Sequence, residues 1–182
     1  MVTYKTDEPV KSVLDPVRHK RLLDDIEHIC AVAHVPQKFV GESMTAYCDS
    51  KEVDYVVNFR LYRTLHPGLL IHGKPNAEER CMAICGALIR NFIDARVITL
   101  SKLLEHAESG NVPDPTVMVI PNLYVASYGK TLPAWKVASV YDILISRWTA
   151  NKPTIAVVES LPGLQQAYGL AFAQHLQHYV GA

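Results

Sequence analysis

The strongest constraint on this chain is an alternation that begins at Gly68. Four short runs of apolar and β-branched residues, 68–72, 95–100, 116–120 and 154–158, are separated by stretches of helical periodicity. The predicted helices cover 77–92, 102–109, 134–148 and 164–179. The runs lack the sustained in-out pattern of a strand with one wet face, so each is expected to be buried on both faces. Strands of that kind, joined by helices, build a parallel sheet with a helical layer on either side. The fold class is therefore α/β, a three-layer αβα arrangement.

Upstream, residues 1–13 are polar and mixed in charge and read as an arm. Asp15 and Pro16 suit the start of a helix. Val17, Leu22, Leu23, Ile26, Ile29, Cys30 and Ala33 then recur at helical spacing. That helix should stop near His34, because the residue before Pro36 is pushed out of the α region. A second helix is expected over 52–65, broken by Pro67-Gly68. The organisation is an arm and amphipathic helix over 1–34, then a core domain over 35–182.

Composition narrows the class. With 18 Lys and Arg against 18 Asp and Glu the formal net charge is zero, which argues against attachment to nucleic acid by bulk charge. The four cysteines are too few for a disulfide framework in a chain this long. No apolar run reaches the roughly 20 residues that span a bilayer, and the N-terminus has no secretory pattern. A cytoplasmic protein is expected.

In open parallel sheets ligands bind beyond the C-terminal strand ends, so the first strand-to-helix turn, 72–81, is the candidate site. Its position is that of the phosphate loop G-x-x-x-x-G-K-[ST]. With Gly73 as the first glycine, Glu78 stands at the second, Glu79 at the lysine and Arg80 at the hydroxyl residue. A phosphate needs backbone N–H groups, close approach and a cation there. Two carboxylates suit the positive end of a helix and take the place of an anion. At about 4 Å and an effective dielectric of 20, a charge pair is worth roughly 4 kcal/mol, so glutamate for lysine reverses a term of that order. Lys74 and Arg80 are the cations near enough to compensate. The third run ends in Pro121-Asn122, where a nucleotide-hydrolysing fold places acids for Mg²⁺.

The segment GLLIHGKPNAEERCMAICGALIR, 68–90, resembles the core of the bacterial replicative helicase loaders, the DnaC/DnaI- and IstB-like branch of the AAA+ ATPases. There an apolar strand precedes GKPGTGK[ST]HLA and a helix. His34-Val35-Pro36-Gln37-Lys38-Phe39 is similar to that family's entry segment, 117–124 to its Walker B strand, and 141–148 with Lys152-Pro153-Thr154-Ile155 to its "yDil-x-R … kPTI" segment. The resemblance covers roughly 34–180. It implies a P-loop NTPase sheet of AAA+/RecA-like type with an N-terminal helical arm and no C-terminal lid.

By this resemblance Glu79 and Arg80 replace the Walker lysine and threonine, and Pro121 and Asn122 replace the Walker B acids. Glu159 replaces the sensor asparagine and His175 the arginine finger, whereas Arg147 keeps the family's arginine. With Gly73, Lys74 and Glu78 these residues make a degenerate nucleotide site. The implied protein is a pseudo-ATPase with no catalytic residue, and neither ATP nor Mg²⁺ is expected as a cofactor. It would bind a replicative DNA helicase or another AAA+ replication protein, as adaptor, loader or inhibitor, in a bacterial, plasmid or phage setting, alone or as a homo- or hetero-oligomer.

Loaders hold the helicase through an N-terminal segment, which assigns partner binding to Arg18, Lys20, Arg21, Leu22, Leu23, Ile26 and Ile29. The same apolar stripe is equally suited to pack on the core. Two other readings stand beside the first. One is a divergent ATPase using Lys74 or Arg80 for phosphate and Asp142 or Glu159 for metal. The other is a single-stranded DNA binder using Lys130, Lys136 and Arg147, with Tyr124, Tyr128 and Trp135 as aromatics. Cys81 and Cys85, near His72, are expected as buried thiols rather than metal ligands.

Overall fold

The computed structural model describes residues 12–126 and 132–181; the first eleven residues of the arm, Tyr128 and Lys130 lie outside them. Strands β1 (Gly68–His72), β2 (Ala95–Val97), β3 (Val117–Tyr124), β4 (Thr154–Val158) and β5 (Val180–Gly181) form one sheet in the order β2-β3-β4-β1-β5. Every pairing is parallel. The expected four strands are present, and a fifth, too short to carry a periodic signal, pairs Val180 with Leu69.

Successive residues of the strands enter different cores, as burial on both faces requires. Leu69, Ile71, Val119, Ile155 and Val157 point into the layer built by α1 (Lys20–Asp24), α2 (Ile26–Ala33), α3 (Gln37–Gly41), α4 (Ser50–Val57), α5 (Phe59–Leu65) and α6 (Ala77–Arg90). Leu70, Met118, Ile120, Ala156 and Val158 point into the layer of α7 (Leu100–Ser109), α8 (Ala134–Thr149), α9 (Leu161–Tyr168) and α10 (Leu170–Leu176). Among the described residues no helix is long and apolar enough to cross a membrane.

Three expected helices are broken in two. The helix over 15–33 is interrupted at Asp25 (φ −130°), and Asp15 instead caps a preceding turn, its Oδ1 accepting from the Val17 and Arg18 N–H groups at 2.8 Å each. His34 ends α2 in the left-handed region (φ 55°), just ahead of Val35, the residue that Pro36 turns away from the α region. The helix over 52–65 starts earlier, at Ser50, and breaks at Asn58, and that over 164–179 breaks at Gly169 (φ 93°). Thr99 caps α7, accepting from the Lys102 N–H, so that helix starts at Leu100, earlier than expected, and the second strand is shorter. The third strand does not end at Pro121-Asn122. It continues through a bulge, Ile120 facing Ala156 and Tyr124 facing Val158, so that Pro121, which has no N–H to donate, sits where the ladder is already irregular.

The α3 backbone lies directly on α6. A Cβ at Gly86 would stand 2.2 Å from the Phe39 carbonyl oxygen, and further along α6 the Arg90 guanidinium closes the contact by donating to the carbonyls of Phe39, Val40 and Glu42 (3.2, 2.7 and 2.7 Å). Gly86→Ala should therefore force α3 away from α6 and cost about 2–3 kcal/mol, read as a lower urea midpoint with α-helical signal retained at zero denaturant.

Candidate functional site

The chain leaves β1 through α6 towards β2, and leaves β4 through α9 and α10 towards β5, on the other side of β1. Adjacent strands whose connections run in opposite directions open a crevice at their C-terminal ends. His72 of β1 and Val158 of β4 are register partners at its floor. The turn at 73–76 forms one wall.

Gly73 (φ 63°) and Asn76 (φ 53°) give this turn its left-handed residues, and Pro75 contributes no N–H. Glu78 and Glu79 are both exposed in the first turn of α6, a favourable position for carboxylates against the helix dipole. The two cations of the segment turn to α4. Lys74 Nζ meets Asp49 Oδ2 at 2.5 Å. Arg80 Nη1 meets Glu52 Oε2 at 2.6 Å and lies 3.6 Å from Asp49 Oδ2, while its Nε donates to the Pro75 carbonyl at 3.0 Å. Glu52 is 0% exposed. Its Oε2 also accepts from the Asp49 N–H at 2.8 Å, the glutamate half of a capping box at the start of α4. Its Oε1, like Asp49 Oδ1, has no hydrogen-bond partner among the described residues. The cations expected to compensate for Glu79 are thus spent inside the protein.

The other positions are likewise used internally. Asn122 Oδ1 accepts from the Leu100 N–H at 2.9 Å and ties β3 to α7. Glu159 Oε2 accepts from the Ala126 N–H at 2.7 Å. His175 is buried beside Tyr141, Trp148 and Tyr179, with ring centroids 6.0, 5.5 and 5.4 Å away, so it cannot reach into a neighbouring subunit. Burial, and then His178, hold its pKa below the ordinary value.

Arg147 is not brought to this site. Its guanidinium is buried at the opposite edge of the sheet, where β3 and β4 begin, donating to Thr154 Oγ1 (3.2 Å), Asp114 Oδ1 (3.1 Å) and the carbonyls of Pro115 (3.1 Å), Thr116 (3.4 Å) and Pro153 (3.2 Å). A cation so occupied cannot line a DNA track either, and Lys136 is paired with Glu108 at 2.9 Å. Trp135 is exposed beside Lys136, whereas Tyr124 packs on Tyr168. Asp142 is exposed on α8, and no group of three or more His, Cys, Asp or Glu suited to a metal occurs among the described residues. Cys81 and Cys85 are buried thiols, their pKa raised by desolvation.

Of the residues assigned to partner binding, Leu22 and Ile26 are buried in the same core as α6, so part of that stripe packs on the domain. Arg18, Lys20, Arg21 and Leu23 stay exposed and Ile29 is half-buried. The Asp49-Ser50-Lys51-Glu52 box, which organises the site, went unread in the sequence although its spacing is a helix-start signature.

No family model and no curated protein matches the sequence. Solved structures do. A DNA replication initiation factor superposes with a TM-score of 0.61 at 8% identity, over 81% of this chain and 50% of that one. The DnaC helicase loader superposes with a TM-score of 0.59 at 12% identity, over 80% of this chain and 98% of the loader. The replication initiator DnaA bound to AMPPCP and single-stranded DNA gives 0.58 at 7% identity, over 77% of this chain and 48% of that one. The chain has the AAA+ fold of these proteins, and spans about half the length of the initiation factor and DnaA chains.

Two predictions follow from the Asp49–Glu52–Lys74–Arg80 cluster. Arg80→Met leaves the Glu52 carboxylate buried without its cation and should cost about 3–5 kcal/mol; adding Glu52→Gln should recover a large part of the loss, a coupling measurable by urea unfolding of the four proteins of the cycle. Asp49 is held below the ordinary carboxylate value of 3.8, first by the Lys74 hydrogen bond. A carboxylate lowered on folding stabilises above its unfolded value and loses that contribution as pH falls below about 3.8 towards its folded value. Asp49→Asn should flatten the stability–pH curve in that window and leave its shape near neutrality unchanged.

Proposed function

We propose that this chain is a helicase-loader-like protein of DNA replication that works by docking rather than by ATP turnover. It binds a replicative helicase or another AAA+ replication protein as adaptor, loader or inhibitor. The observation that carries this reading is the β1–α6 turn, where the residues at the positions of the phosphate-binding lysine and hydroxyl are an exposed glutamate and an arginine tied to buried Glu52. Asn122 and Glu159, at the metal and sensor positions, are engaged with backbone N–H groups. The replication context is supported by the folds of the DnaC loader and DnaA.

A loader's shape without a nucleotide switch presents one surface continuously. A ligand that binds only the folded state raises its stability by RT ln(1 + [L]/Kd), about 2.7 kcal/mol at a hundred times Kd. Millimolar Mg-ATP should leave the melting temperature of this protein unchanged, and a rise of several degrees, or phosphate release above the buffer rate, overturns the reading.

A further inference from the structure

Among the described residues a concavity lies at the far end of α6 from the turn, about 20 Å away at 1.5 Å per residue over its 14 residues. It is a groove of about 820 Å³ between α1–α2 and the segment that follows α6. Leu22, Ile29, Val32, Ile89, Phe92 and Ile93 provide its apolar surface, and Arg18, Lys20 and Arg21 stand along one side.

Three observations indicate what it takes. First, the apolar surface is left open, with Val17 88% and Phe92 60% exposed. Phe92 is held at φ 60°, a left-handed conformation costly for a bulky residue, and its ring stacks on His19 with centroids 5.8 Å apart. The aromatic wall is therefore fixed in place before anything binds. Second, backbone groups of the walls are already spent: the Phe92 and Ile93 N–H groups donate to the Ile89 and Leu88 carbonyls. A partner meets side chains there rather than free ladder groups, which suits the apolar face of a helix and not an added strand. Third, the charge is one-sided. Lys20 pairs with Asp24 and Asp94 with Arg96, while Arg18 and Arg21 form no ion pair among the described residues.

We propose that this groove binds an amphipathic helix of a partner protein whose apolar stripe is flanked by acidic residues. The proposal rests on the reading of the chain as a docking protein and specifies the chemistry of what docks. Apolar side chains at i, i+3, i+4 and i+7 enter the groove, and the carboxylates beside them meet Arg18 and Arg21.

The test uses the full chain and two fluorescein-labelled helical peptides of about 18 residues, enough for five turns. Both carry leucine at those four spacings; one has glutamate on the flanks and the other lysine. Anisotropy titration should show the glutamate peptide binding at least about tenfold more tightly, equivalent to 1.4 kcal/mol. The double variant R18E/R21E, changed only at exposed positions, should melt as the parent does and reverse the preference. Phe92→Gly should weaken binding while leaving the melting temperature equal or higher, an outcome that a purely structural role for the ring does not give. No binding of either peptide, equal binding of both, or indifference to R18E/R21E overturns the proposal. Melting the same samples with Mg-ATP keeps the two readings separable: an ATP-induced rise removes the pseudo-ATPase reading without touching the groove, and a failed peptide titration in an ATP-inert protein removes the groove alone.

Discussion

The structure depends above all on the burial of helix α6. Cys81, Ala83, Ile84, Cys85, Gly86, Ala87, Leu88 and Ile89 are all buried in it, which covers more of the circumference than the single stripe of a surface helix. The sheet lies under one side, and α3 and α4 lie over the other. A small residue makes this possible, since at Gly86 the α3 backbone comes closer than a Cβ would allow. A helix clamped in this way fixes whatever is attached to its ends. At its start is the turn in which Arg80 meets Glu52, and at its end the exposed Phe92.

The strands and the layer order were legible because burial on both faces leaves a continuous apolar run, the simplest of sequence signals. The breaks at Asp25 and Asn58 were not, since aspartate and asparagine are weak helix formers that still occur inside helices. Gly169 did carry a signal, a glycine inside a helical pattern. At the site, the sequence showed which residues stand at the loop positions but not what they touch. Lys74 and Arg80 find their acids 25 and 28 residues away, a pairing made by packing α4 on α6. Arg147 shows the converse: its match to a family position suggested proximity to nucleotide, whereas the fold uses it to bind the strand starts together.

These placements give the molecule a division of labour. The crevice edge of the sheet, where AAA+ proteins receive nucleotide, is filled with internal contacts from Asp49, Glu52, Asn122 and Glu159. The opposite edge is stitched by Arg147. The groove along α1 and α2 stays open and apolar, and its Arg18 and Arg21 form no ion pair among the described residues of a chain whose total charge is zero.

The ion pair beneath the turn also bears on how such a chain can change over time. Changing Arg80 to a small hydroxyl residue would leave the Glu52 carboxylate in the core without its cation. Removing the Glu52 carboxylate is milder, because Arg80 keeps Asp49 at 3.6 Å and the Pro75 carbonyl. Marginally stable proteins tolerate few costly steps. The residue at position 80 of the turn is therefore dictated from beneath, by an acid 28 positions away in the chain, and it can change cheaply only if that acid changes first.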